Sequence, residues 1–180
     1  YYPKAKTIHS SDFLSQEHMM GYYFPFSMEA NYNKTMYVVN KPATICHELA
    51  HLKGFIYEDE ANFIGFLACV SSDDLFFRYS GYMSVLGYVE NEFRDSVNHK
   101  ASAYFEHPEI ARSVYDDDLF LTAEAWEKVE EKAVIQTAVV KKASNQFTEA
   151  TLKLNGVEDG MKSYSRVVQL LLKYYDGILY

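Results

Sequence analysis

The chain reads as an α+β domain that is predominantly α, with a small N-terminal β-hairpin or sheet followed by a helical bundle containing one long helix. Three observations predict this. Short aromatic and β-branched runs bounded by turn residues occur only before Pro42. From Pro42 onward apolar residues recur at helical spacing. Between Trp126 and Leu154 the apolar positions repeat every seven residues. With 180 residues, 48% of them hydrophobic and 16% aromatic, the chain holds enough core material for one domain spanning 1–180.

Residues 1–19 read as irregular. Tyr22–Phe26 and Thr35–Val39 read as two strands, with Asn31, Asn33 and Lys34 as the turn between them and Pro25 at an edge or strand end. A helix is expected over 42–53, because Pro42 suits a first turn and Gly54 a position just past the last. A second is expected over 58–70, and a third over 73–97 behind the capping run Ser71-Ser72-Asp73-Asp74. Residues 99–116 read as short helices broken at Pro108, and Asp116-Asp117-Asp118 as a solvated helix start. Trp126, Ala133, Val140, Phe147 and Leu154 form the seam of one long helix that stops at Asn155-Gly156. A last amphipathic helix carries Val167, Val168, Leu170, Leu171 and Leu172.

Charge and cysteine content narrow the function. A net charge of −8 gives no basic footprint for nucleic acid. Cys46 and Cys69 lie in apolar runs without CxxC or framework spacing, so they read as buried free thiols, or as a bridge in an oxidising compartment. The tyrosine excess suits a groove or a membrane-proximal surface. No apolar run approaches a bilayer span, and the start at Tyr1, without methionine or signal peptide, reads as a fragment of a longer protein.

The chemistry concentrates in His47-Glu48-Leu49-Ala50-His51, an HExxH sequence within the first predicted helix. Four residues advance a helix by about 400°, so the two imidazoles stand one turn apart on nearly one face and can share a zinc ion. Glu48, adjacent to His47 around the helix, is placed to take a proton from the activated water and deliver it to the departing amine. The flanking residues from Ala43 to Leu52 carry no other charge, as a buried active-site helix requires.

A third protein ligand is needed if the ion is to keep an open position. Glu58, Ala61, Asn62 and Gly65 share one face of the next helix, and Gly54 allows the reversal that brings that helix back over the first. Glu58 is the expected third ligand, with Glu60 the alternative, and Asn62 is expected to hydrogen-bond around the ligands.

HExxH followed by Glu-x-x-Ala-Asn resembles the gluzincin metallopeptidases, in which a glutamate is the third zinc ligand. More closely, Ile45–Phe55 with Glu58–Phe63, Gly21-Tyr22-Tyr23, Pro25-Phe26, Phe77–Tyr82 and Lys162–Val168 resemble a bacterial family known as domain of unknown function 3810. The resemblance covers nearly the whole chain. It implies a zincin-like bundle and a membrane-anchored zinc metallopeptidase domain, anchored through segments upstream of Tyr1 and facing outside the cytoplasm. Only six residues separate His51 from Glu58, fewer than in most gluzincins.

In gluzincins an edge strand beside the metal pairs with extended substrate. Ser27–Asn31 is the expected edge, with backbone groups of Ala30 and Asn31 holding peptide, and Glu29 is a candidate for binding a substrate amino terminus. An oxyanion donor besides zinc is expected from Tyr164 or Arg166, then Tyr79 or His99. His9, His18 and His107 have no metal spacing. The leading expectation is a zinc-dependent peptidase acting on peptides or unfolded protein segments. The alternatives are a catalytically silent zinc-binding sensor domain and a zinc amidase acting on cell-wall peptides.

Overall fold

A computed structural model describes residues 3–143, 160–176 and 178, with side chains in the last stretches given from 166 onward. It is mainly helical with one small sheet near the N-terminus, as expected. Strand β1 (Lys6–Thr7) and helix α1 (Ser11–Gln16) occupy the segment expected to be irregular. Strands β2 (Gly21–Phe24) and β3 (Glu29–Tyr32) form an antiparallel hairpin, and β1 joins β3 in parallel, pairing Lys6 with Asn31 and Thr7 with Tyr32. The strand order β1-β3-β2 makes β3 central and β2 an outer strand.

This corrects two expectations. The hairpin turn is at 25–28, and Thr35–Val39 is not a strand. Asn33 explains why. It is fully buried, its amide donates to Ser15 Oγ and the Met19 carbonyl, and its side-chain oxygen accepts from the Thr35 N–H. The chain therefore turns away from the sheet, and the Tyr37 N–H finds the Phe120 carbonyl instead of a ladder partner. Ala30 and Asn31 also lie on the central strand, not on the edge assigned to Ser27–Asn31.

Helices α2 (Asn40–Leu52) and α3 (Glu58–Val70) match the expected pair within two residues. Helix α4 (Leu75–Ser96) starts at the predicted cap, with the Asp74 carboxylate accepting from the N–H groups of Phe76 and Phe77. Short helices α5 (Ala101–Tyr104) and α6 (Arg112–Asp116) flank Pro108. The acidic run ends α6 rather than starting a helix. Asp117 accepts hydrogen bonds from Tyr37 and Tyr79 at 2.7 and 2.8 Å, so it joins three segments instead of facing solvent alone.

The expected single helix through 126–154 is interrupted. Helix α7 (Ala123–Lys132) ends at Ala133, whose backbone is extended, and helix α8 is described over 137–143. Buried Gln16 donates to the Ile135 carbonyl and the Thr137 hydroxyl, each at 2.9 Å, and so provides partners that favour the break. Two β-branched residues, Val134 and Ile135, occupy the gap and weaken helix continuation there. Phe147, Leu154 and the Asn155-Gly156 stop lie outside the described residues. Helix α9 (Gly160–Tyr175) packs on α3 and α4, where Phe66, Val85, Val167 and Leu171 form a buried cluster. Among the described residues, no helix is long and apolar enough to cross a membrane.

Candidate metal centre

Helix α2 ends in a way that prepares its last histidine. Gly54 has φ +102, a left-handed conformation costly for any residue with a Cβ, and it occupies the position after the helix cap. The Gly54 N–H donates to the His51 carbonyl and the Phe55 N–H to the Ala50 carbonyl, the double bond of a Schellman motif. That turn brings the Phe55 carbonyl to within 2.7 Å of His51 Nδ1. With Nδ1–H donating there, Nε2 keeps its lone pair for a ligand.

The loop then sends α3 back along α2. Gly65 faces the backbone of His47 and Ala43, where an added Cβ would lie 3.1 Å from the His47 nitrogen. With Ala61 fully buried beside it, the helices approach at backbone distance, and the first turn of α3 reaches the imidazoles. Glu58 Oε2 lies 3.2 Å from His47 Nε2, and Glu58 Oε1 lies 3.5 Å from His51 Nε2. The two Nε2 atoms are 3.0 Å apart.

These separations fit a metal. A tetrahedral zinc with bonds of about 2.0–2.1 Å keeps its ligand atoms about 3.3 Å from one another. His47, His51 and Glu58 form the one such group of metal-capable side chains among the described residues. Glu60 is exposed and does not join it. The pair of imidazoles holds the Glu58 carboxyl far below the usual carboxylate range, and Glu58 in turn raises His51.

Glu48 is the buried acid of the group, 5% exposed, and its Oε2 has no hydrogen-bond partner. Burial pushes its carboxyl up to about 7, against the pull of His47 and His51, and a bound cation would add to that downward pull. Space for this side chain comes from β2. A Cβ on Gly21 would sit 2.7 Å from Glu48 Cγ and 2.8 Å from Cδ, so glycine at the strand start leaves room for the carboxyl. His47 Nδ1 is also buried without a partner.

A cavity of about 1130 Å³ opens over the group, walled by β2, α2, the first turns of α3 and one face of α4. Among the expected supporting residues, Asn62 lines it, but its amide donates to Tyr88 Oη at 3.5 Å and not to a member of the His47–His51–Glu58 group. Arg166 is ion-paired with Asp59 at 3.5 Å and is not among the residues that line the cavity. Tyr79 is bonded to Asp117, His99 pairs with Asp95 at 3.2 Å near the end of α4, and neither lines the cavity. Glu29 accepts from Lys6 and Ser27 and is likewise absent from the wall. The Tyr164 side chain lies outside the described residues. Cys46 and Cys69 are free thiols with their sulfurs 3.7 Å apart, Cys69 donating.

Sequence reasoning missed Tyr23, whose ring stacks on His51 at 6.1 Å between centroids, and the polar line Ser80, Ser84, Tyr88 and Asn91 on α4. The second had a signal: those residues recur at intervals of four, four and three, one stripe along the helix.

Two imidazoles one helical turn apart and a carboxylate from the following helix, with a buried acid beside them, define a domain whose centre can hold a divalent metal. The chain belongs to the family described as Protein of unknown function (DUF3810), whose model matches residues 1–172. Neither the curated proteins nor the solved structures contain a match to it.

Proposed function

We propose that this domain is a zinc-dependent peptidase, with zinc held by His47, His51 and Glu58 and with Glu48 as general base. One observation carries the reading: three ligand atoms converge at one wall of the cavity beside a buried carboxyl with an unpartnered oxygen. Zinc, when bound, supplies a Lewis acid that polarises a carbonyl and makes water more acidic. The protein's own residues do the rest. The Phe55 carbonyl keeps His51 in the tautomer with Nε2 free. Glu48 takes a proton from the attacking water and passes it to the leaving amine, and its burial keeps it from being held elsewhere.

Substrate is held along β2. This outer strand borders the cavity with Gly21, Tyr22 and Tyr23, so an extended peptide can add to it there, replacing the role expected of Ala30 and Asn31. The oxyanion donor that the reading still needs is best met by Tyr88, which lines the cavity. The setting implied by the family resemblance, outside the cytoplasm on a membrane-anchored protein, belongs to the same proposal.

Metal content and peptide cleavage measured on the same preparations test this. Glu48→Gln is expected to leave one zinc per chain and to lower cleavage of an unstructured peptide by about 10²–10⁴-fold. His51→Ala is expected to lose the metal. Full cleavage by Glu48→Gln, or full zinc retention by His51→Ala, overturns the reading. A subtler change is Gly21→Ala. Its methyl displaces the Glu48 carboxyl, so activity should fall by about ten- to a hundredfold with zinc content intact; unchanged activity would show that Glu48 need not sit where it does.

A further inference from the structure

The wall of the cavity has an unusual composition. Four of the six methionines in the chain, Met19, Met20, Met28 and Met83, line it, from the approach to β2, the hairpin turn and α4. No lysine or arginine is among the described residues that line it, whereas Glu48, Glu58 and Asp118 are. At the mouth, two loops present apolar residues both to the cavity and to solvent. Met28, 55% exposed, sits in the hairpin turn, and Ile56, 79% exposed, sits between α2 and α3, two residues before Glu58. Phe26, 91% exposed, continues the rim outward.

Each feature has a cost in the free protein. An isoleucine and a methionine left in water forgo the burial that such side chains normally find. Met28 further holds a left-handed backbone, φ 54, that favours glycine or asparagine. Apolar side chains exposed at the mouth of a cleft are what a ligand with apolar side chains would cover. Methionine adds a second property. Its unbranched, polarizable side chain repacks around different shapes, which suits a wall that takes many apolar groups rather than one. Among the described wall residues no lysine or arginine offers a partner to an acidic side chain, and Asp118 would repel one.

Resting on the peptidase reading of the same centre, we infer that the cleft selects extended polypeptide segments with bulky apolar side chains around the scissile bond, broadly among such side chains and against acidic ones. A lipid surface is the less suited occupant, because Met28 and Ile56 also face into the cavity and the chain carries a net charge of −8.

Binding separates this inference from catalysis. Fluorescence anisotropy would follow one unstructured peptide with Leu, Phe, Met, Ser or Asp at its central positions, on the Glu48→Gln protein with and without added zinc. The three apolar peptides are expected to bind within about threefold of one another and about tenfold or more tighter than the Ser peptide, with Asp weakest. Met28→Asn, which suits the left-handed backbone, combined with Ile56→Ser should shrink the apolar preference to about threefold or less with circular dichroism unchanged. Equal binding of Ser and Leu peptides overturns the inference, as does one apolar side chain surpassing the others by about thirtyfold, which would mean a shaped pocket. It is also overturned if the double variant keeps the preference and loses binding to neutral phospholipid vesicles instead. Apolar preference without any cleavage by the wild-type, zinc-loaded protein would sink the peptidase reading and leave this one standing.

Discussion

The helix pair α2–α3 and the segment from α7 to 143 differ in how they are held. In the first, contact reaches the backbone: Ala61 and Cys69 are fully buried, Gly65 abuts His47, and Phe66 anchors the cluster beneath. In the second, Val129 and Val140 are buried, but between them Val134 is 98% exposed and the break is met by hydrogen bonds from one remote side chain, Gln16. Dense apolar burial ties a region to global unfolding, whereas a few polar contacts let it open locally. The His47–His51–Glu58 group thus sits in the more densely packed of the two.

The sharpest test compares truncations. Phe66→Ala removes a fully buried ring and is expected to lower unfolding free energy by about 3–5 kcal/mol, while Val134→Ala should stay within about 0.5 kcal/mol of wild type. Urea denaturation measures both. Similar losses at the two sites would erase the distinction.

A smaller effect should be confined in space. Gln16→Ala removes two hydrogen bonds and is expected to cost about 1–2 kcal/mol. Amide exchange should rise across 137–143 while α2 and α3 stay protected. Equal loss of protection in both regions would mean that Gln16 supports the whole domain.

The same contrast explains what could be read in advance. Around the site each signal is local and the signals agree. His47 and His51 need only the helical period, Gly54 only its lack of a Cβ, and Glu58 only the register set by Ala61 and Gly65 on its face. Elsewhere the deciding contacts lie far away in sequence. The apolar seam from Trp126 is genuine, with Val129 and Val140 buried, but its continuity is broken by a partner about 120 residues distant. Thr35–Val39 has strand composition, yet Tyr37 bonds to Asp117 and Phe120. Arg166 reads as an oxyanion donor, yet α9 packs on α3 where Asp59 meets it, away from the cavity wall. Composition and period cannot encode such pairings.

Asp117, between α6 and α7, ties that connection to the segments around α2 and α4, and it supplies the smallest expected effect. Its carboxylate holds Tyr37, just before α2, and Tyr79, on α4, while the following residues accept from the Tyr37 N–H and the Asn40 amide. Hydrogen bonds from Tyr37 first and Tyr79 second lower its pKa in the folded protein. A carboxyl whose folded pKa is depressed adds stability above its unfolded value of about 3.9, and that contribution is lost as pH falls through the folded value. Tyr37→Phe removes the larger of the two causes. The urea midpoint of wild type should therefore exceed that of the variant at pH 7, and the gap should narrow as pH is lowered below about 4. The carboxylate is half-buried, so part of this stabilisation should weaken with added salt. A gap that stays constant from pH 7 to pH 3 would show that Tyr37 acts through packing alone, and that its bond to the Asp117 carboxylate contributes nothing to stability.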